Sequence, residues 1–322
     1  MKTAYSFFPG LMRFRYGQLA GLLLLASVLL SSCTDRPADE PVPQTVGHAN
    51  DLTVGMGNGV NIQPSYYNNG YPDFGWSLMK QQSRIRTLRI EIEPDKVNQA
   101  KYWISQAKAN GYAIIATYHK YTALGSSNPA DLQDAANWWR ANYGTLGGGF
   151  TVNLMNEWGG HSLTADAYAR AYNSAIATVR QVYGGPLIID CPGYGQETAT
   201  TAAAVKGYNS TPIYDTNIVL AMHVYPNAYN QAKSHYLQNS DLDDLASAGR
   251  QCIIGEFGYA PAGPVYWQGI VNYAKGKGWT VMGWSWNGDG NGMNMVSPSW
   301  SANPTASSFM LDAYFNQAYA LL

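Results

Sequence analysis

The sequence predicts an α/β fold of the (β/α)8 TIM-barrel type in a single catalytic-sized domain, and three observations carry that expectation. Eight short apolar runs are spaced along the chain, each is rich in β-branched or aromatic residues, and a helical or helix-like stretch follows every one. The length, 322 residues, suits one α/β barrel. A doubly wound open sheet would normally bring a glycine-rich phosphate turn after an early strand. The nearest candidate, Gly55-Met56-Gly57-Asn58-Gly59, lacks the third glycine spacing and the following helix.

Strands are expected over 54–62, 85–92, 113–118, 150–155, 186–190, 218–223, 252–255 and 280–285. Each is short and almost wholly apolar, as a parallel strand covered on both faces must be. Between them, residues 94–110 read as a helix stopped by Asn110-Gly111, and 131–143 as a second. Residues 164–183 form a long amphipathic run ending at Gly184-Gly185. Helices are also expected over 232–249, 264–277 and 307–322.

Ahead of this domain, residues 1–33 carry basic residues (Lys2, Arg13, Arg15), then a hydrophobic run from Leu19 to Leu30. The run is too short to span a bilayer and suits a signal-peptide core. Its end, Leu30-Ser31-Ser32-Cys33, resembles a bacterial lipobox, which implies lipidation of Cys33. Residues 34–50 are polar, proline-containing and without apolar period, as expected of a disordered tether. The domain would then occupy 51–322. The expected location is the cell envelope, facing outward and touching membrane only through the lipid (an outer membrane in the first instance), or the medium.

Charged residues make up only 13% of the chain and the net charge is −1, which argues against a nucleic-acid partner. The excess is aromatic, 24 Tyr and 10 Trp. Such rings serve either a large core or the apolar faces of sugars. Cys191 and Cys252 lie in separate apolar segments and read as small buried side chains, with a disulfide left open. No His-x-His or His-Glu-x-x-His spacing exists, so neither a metal nor a cofactor is expected, and the chain reads as a monomer. Asn287-Gly288-Asp289-Gly290-Asn291-Gly292 mimics half an EF-hand loop, but the twelfth position is Pro298.

Chemistry in such a barrel gathers where strands end at their C-termini. The fourth strand runs into Asn156-Glu157-Trp158 and the seventh into Glu256-Phe257-Gly258, so two carboxylates are expected in one mouth. Hydrolysing a glycosidic bond with retention takes two carboxyl groups about 5–5.5 Å apart, one protonating the leaving oxygen and one attacking the anomeric carbon. Arg89, inside an apolar strand, needs a buried partner, and Glu256 is a natural one. His119 ends the third strand, and His223 and Tyr225 the sixth. At the eighth, Trp284 or Trp286 could floor a sugar site.

These motifs resemble clan A of the glycoside hydrolases, specifically family 5. Asn-Glu follows strand four, His-x-Tyr strand six, Gly-Glu-Phe-Gly strand seven and Trp-Ser-Trp strand eight, in the family's order from about Val54 to Asn287. Asn156-Glu157-Trp158-Gly159, Ile189-Asp190-Cys191-Pro192-Gly193-Tyr194-Gly195-Gln196 and the Gly-Trp-Ser-Trp-Asn-Gly end resemble its bacterial β-mannanases. The resemblance implies Glu157 as acid/base and Glu256 as nucleophile. It places Asn156 on the sugar 2-hydroxyl, Arg89 and Tyr225 on the nucleophile, His119 and His223 along the reacting subsite, and Trp284 under the ring. It implies a polysaccharide partner: mannan, glucomannan or, in the alternative activity of an endo-β-1,4-glucanase, β-glucan. A silent polysaccharide-binding lipoprotein is the remaining reading. Pro226-Asn227-Ala228-Tyr229 and Gly159-Gly160 depart from the mannanase wording, which bears on substrate choice.

Overall fold

The structure is a computed structural model that describes residues 55–322. The leader, Cys33 and the tether lie outside the described residues. Eight parallel strands close into a barrel. They are β1 (Gly59–Ile62), β2 (Thr87–Ile92), β3 (Ala113–Tyr118), β4 (Thr151–Asn153), β5 (Leu187–Asp190), β6 (Ile218–Val224), β7 (Gln251–Phe257) and β8 (Thr280–Asn287). One helix follows each: α1 (Trp76–Lys80), α2 (Val97–Ala109), α3 (Pro129–Leu146), α4 (Ala165–Val179), α5 (Thr198–Lys206), α6 (Asn239–Ala246), α7 (Trp267–Gly276) and α8 (Ala313–Tyr319). The helix boundaries follow local chemistry. The Asn128 side chain caps α3 ahead of Pro129 at its first position, and left-handed Gly147 ends it. Thr164 caps α4.

The sequence expectation fails at 232–249, where only Asn239–Ala246 is helical. Upstream, Tyr229–Asn230 pairs with His235–Tyr236 instead. The fully buried Glu197 carboxylate accepts the backbone N–H groups of Gln231 and Ala232, and Ser234 turns left-handed at φ 58°. Local helical periodicity yields there to contacts from 34 residues upstream.

The aromatic excess serves the core first. Trp103, Trp139, Trp158, Trp286 and Trp300 are all buried, and every one donates its indole N–H to a backbone carbonyl, of Gly70, Leu154, Asn128, Phe74 and Asp73 respectively. Each ring therefore combines a large apolar burial with a satisfied donor. Cys191 and Cys252 are free and buried.

Inside the barrel, the strand period of two sends alternate residues inward. On β6 these are Val219, Ala221 and His223, on β3 Ile115, Thr117 and His119, and on β5 Ile188 and Asp190. A separate apolar cluster of Ile115, Ile188, Val219, Ala221, Ile253 and Met282 fills the interior. Toward the C-terminal ends of the strands the inward residues become polar. The site is built there.

Candidate active site

Two adjacent inward positions of β2 bring a buried guanidinium and a buried carboxylate, Arg89 and Glu91, into one layer. A buried charge must be paired, and Arg89 is paired many times over. It donates to Asn61 Oδ1 (2.9 Å), Glu91 Oε1 (3.0 Å), Asn153 Oδ1 (3.0 Å), Asn156 Oδ1 (2.6 Å) and Glu256 Oε1 (2.9 Å). Asp190 lies 3.7 Å away. These carboxylates raise the guanidinium's proton affinity in spite of burial.

Glu256 reaches this cluster through a bulge. Met222 pairs with Ile254 but His223 pairs with Glu256, so Gly255 is skipped and the side chain turns inward. Strand β7 consequently runs on to Phe257 rather than stopping before Glu256 as the sequence suggested. Tyr225 donates to the other oxygen, Oε2, at 2.7 Å. Burial alone would favour the neutral acid, but the charges of His223 and Arg89 and the Tyr225 hydrogen bond hold Glu256 down at about 2.

Glu157 stands four residues beyond β4, which ends at Asn153. Its backbone is left-handed (φ 50°), an uncommon state for a side-chain-bearing residue. Two hydrogen bonds fix it: its N–H donates to Asp190 Oδ2 (3.0 Å), and its carbonyl accepts from Gly125 N–H (2.8 Å). The Glu157 side chain meets His223, with Nδ1 2.9 Å from Oε1. The same Nδ1 is 3.6 Å from Glu256 Oε2, and Nε2 faces Asp190 at 3.6 Å. Burial works against imidazolium, yet Glu256, the Glu157 hydrogen bond and Asp190 raise His223 to about 9.

His223 is held from behind by glycines. A Cβ on Gly195 would lie 2.7 Å from the imidazole Cγ, and one on Gly255 3.0 Å from Nε2. Gly195 sits in a turn where Gly193, Tyr194 and Gly195 are all left-handed. The stretch 189–196 is thus the seat of the imidazole.

On the opposite side, His119 links two carboxylates, with Nδ1 2.7 Å from Glu93 Oε1 and Nε2 3.5 Å from Glu91 Oε2. Burial lowers its basicity, but Glu91 and Glu93 together raise it above the ordinary value. Tyr66 donates to Glu93 as well.

One carboxylate oxygen of Glu157, one of Glu256 and a ring nitrogen of His223 all lie within 4.8 Å of one another. Nearest oxygens this close accord with the narrow carboxyl spacing of a retaining site, about 5–5.5 Å, rather than the roughly 6.5–9.5 Å of an inverting one. Chelation of a cation by these atoms would cost the His223 and Tyr225 hydrogen bonds.

The family model for cellulase (glycosyl hydrolase family 5) matches residues 70–290, well over half of the chain. The chain belongs to glycoside hydrolase family 5. Among curated relatives, a mannan endo-1,4-β-mannosidase from Streptomyces lividans is 29% identical over 268 residues, covering 77% of this chain and 68% of the relative. A β-mannanase structure from Streptomyces thermolilacinus superposes with a TM-score of 0.61 at 20% identity, covering 82% and 88% of the two chains. An endoglucanase catalytic domain from Thermobifida fusca gives 0.64 at 13% identity, covering 82% and 90%. The backbone likeness establishes the barrel and is shared by both activities.

In this family 5 glycoside hydrolase, most residues singled out from sequence converge. Arg89, His119, Asn156, Glu157, His223, Tyr225 and Glu256 form one connected polar cluster. Trp284 is half-buried and is held by Asp289, which accepts its indole N–H at 3.0 Å. Trp286 is a correction. It is wholly buried, packs on Phe74 and Phe315 and donates to the Phe74 carbonyl, so it belongs to the shell outside the barrel and cannot meet a sugar. The EF-hand-like segment has its own explanation: Asp289 accepts from Asn291 N–H and Met293 N–H as well as from Trp284, making the loop a clamp on that ring. Sequence reasoning missed Glu91, Asn61, Asn153 and Asp190. The available signal was the inward alternation on β2 and the acid that ends the apolar run of β5.

Proposed function

We propose that the chain is a retaining, endo-acting β-1,4-mannanase with Glu157 as acid/base and Glu256 as nucleophile. The closeness of their oxygens, within 4.8 Å at the C-terminal mouth of the barrel, is the observation that carries the reading. In the first step Glu256 attacks the anomeric carbon, and the glycosidic C–O bond breaks with its electron pair going to the leaving oxygen. Glu157 protonates that oxygen. In the second step Glu157, now a carboxylate, takes a proton from water, whose oxygen attacks the same carbon while Glu256 departs.

The residues around Glu256 prepare it for this. Arg89 and Tyr225 hold one carboxylate oxygen each, so the nucleophile arrives ionised and oriented. Arg89 also takes the Asn156 carbonyl, which directs the Asn156 amide N–H groups toward the sugar 2-hydroxyl. That hydroxyl is axial in mannose and equatorial in glucose, and contacts around Asn156 and His223 choose between them. The Streptomyces lividans relative supports mannan as substrate. Export and lipidation at Cys33, with the tether over 34–50 presenting the domain to polymeric substrate, complete the proposal; loss of fatty-acid labelling in a Cys33→Ser variant is the check.

The test is hydrolysis of galactomannan, glucomannan, carboxymethylcellulose and xylan by the purified protein, with proton NMR of the first product anomer. Release from mannans with retention is expected. Release from carboxymethylcellulose alone would move the assignment to an endo-β-1,4-glucanase. Glu256→Ala should abolish turnover while polysaccharide binding persists, and turnover at the parent rate would overturn the residue assignment.

A further inference from the structure

Glu91 has no part in the mechanism above, yet it is fully buried in the midst of it. Its Oε1 and Glu256 Oε1 accept from the same guanidinium nitrogen, Arg89 Nη1, at 3.0 and 2.9 Å. Its Oε2 accepts from the Gln63 amide at 3.0 Å and faces His119 Nε2 at 3.5 Å. Two carboxylate oxygens thus converge on one guanidinium nitrogen in a buried site, where like charges repel unless one of the acids is neutral.

The charges lead the same way. The connected cluster holds five acids, Glu91, Glu93, Glu157, Asp190 and Glu256, against three bases, Arg89, His119 and His223. With every group ionised the site would carry a net charge of −2, which a buried cluster resists. One proton is the one Glu157 delivers, and a second is needed for neutrality.

We propose that Glu91 holds this second proton. As a neutral acid it is a positioning residue: it donates to Glu256 alongside Arg89, steadies the nucleophile, and stabilises the carboxylate that Glu256 becomes when it leaves the sugar in the second step. The proposal rests on the reading of Glu256 as nucleophile.

The charged groups facing Glu91 act in both directions, and burial is the largest influence. Burial pushes its carboxyl up to about 7; His119 from β3 and Arg89 from its own strand pull downward, while Glu256 from β7 and Glu157 beyond β4 push upward. Tyr66 is the remaining titratable neighbour and bears on Glu91 as a neutral phenol. Once Glu91 loses its proton, the donor to Glu256 is replaced by a like charge, and departure of the nucleophile slows.

The deciding experiment uses the full chain and a dinitrophenyl β-mannobioside, whose leaving group needs no acid, so that hydrolysis of the covalent intermediate limits kcat. Wild-type kcat should fall about tenfold per pH unit above roughly 7. Glu91→Gln cannot ionise, and because its amide nitrogen cannot accept as both Glu91 oxygens do, from Arg89 Nη1 and Gln63, its kcat at pH 6 should fall below that of wild type. That lower kcat should hold from about pH 6 through about pH 8.5. Glu91→Asp keeps an acid and should keep an alkaline decline. An alkaline limb in Glu91→Gln superimposable on that of wild type, or a flat profile in Glu91→Asp, overturns the proposal. A burst of dinitrophenolate in each variant establishes that the first step is intact. Absence of any burst in wild type with either mannoside or cellobioside would instead strike the nucleophile assignment itself.

Discussion

Replacing Gly195 with alanine tests how the turn after β5 governs chemistry on β6. The added methyl would sit 2.7 Å from His223 Cγ and 2.8 Å from both its Cβ and its backbone nitrogen. Carbon atoms pack at about 3.5–4.0 Å, so the imidazole must retreat by roughly 0.8 Å. The backbone adds its own penalty, because φ is +80° and a side chain in the left-handed region costs about 1–2 kcal/mol. Overpacking contributes about 1–3 kcal/mol more. The sum, about 2–5 kcal/mol, corresponds to a melting temperature lowered by roughly 4–9 °C. Displacing the ring also disturbs the 2.9 Å contact between His223 Nδ1 and Glu157. Loss of a charged hydrogen bond of about 1.5–3 kcal/mol would cut kcat/KM roughly 10- to 150-fold. Circular-dichroism melting and kcat/KM on soluble galactomannan, measured well below both melting temperatures, read the two effects apart. Gly276→Ala is the control, since that position at the end of α7 opens onto free space and gains helix propensity. A Gly195→Ala enzyme with parental melting and kcat/KM would refute the packing argument, and one that melts early but turns over normally would refute the link from His223 to Glu157.

Two further outcomes follow from the same geometry. Trp286→Ala should lower stability by about 3–5 kcal/mol, whereas Trp284→Ala should mainly raise KM; melting curves and Michaelis kinetics on both variants distinguish the roles, and equal KM values would remove Trp284 from the sugar site. Thermal stability should be greatest near pH 5 and decline toward pH 9. Glu256, held at about 2 when folded, contributes above the ordinary glutamate value of about 4.3 and stops contributing as pH falls through about 2. His223, raised to about 9, contributes fully below about 6.5 and loses that contribution as pH rises through about 9. Glu91, raised to about 7, subtracts progressively between about 4.3 and 7. A melting temperature that climbs from pH 5 to pH 9 would contradict those signs.

The barrel and its two acids were legible because both rest on local pattern. Apolar runs of strand length marked all eight strands, and an acid within two residues of the end of such a run marked Glu157 and Glu256. What escaped depended on distant partners. Glu91 looks like an interruption of an apolar strand until Arg89, Gln63 and His119 are seen around it. The segment 232–249 has helical periodicity, and only Glu197 reveals why its first half is not helical. Trp286 and Trp284 stand two apart on one strand, and sequence offered no means of knowing that the register shift between β1 and β8, over Gly283 to Asn287, leaves Trp286 wholly buried and Trp284 partly exposed. Asp190 was visible at the end of its strand but was passed over, because its work is to hold a backbone N–H of Glu157 rather than to touch a sugar.

The small apolar plug of Ile115, Ile188, Val219, Ala221, Ile253 and Met282 acts as electrical insulation. It closes the barrel beneath the charged layer, so solvent can screen those groups only from above, through the opening a polymer chain would cover. When substrate arrives, the last high-dielectric face is sealed and each charge in the cluster feels its neighbours more strongly.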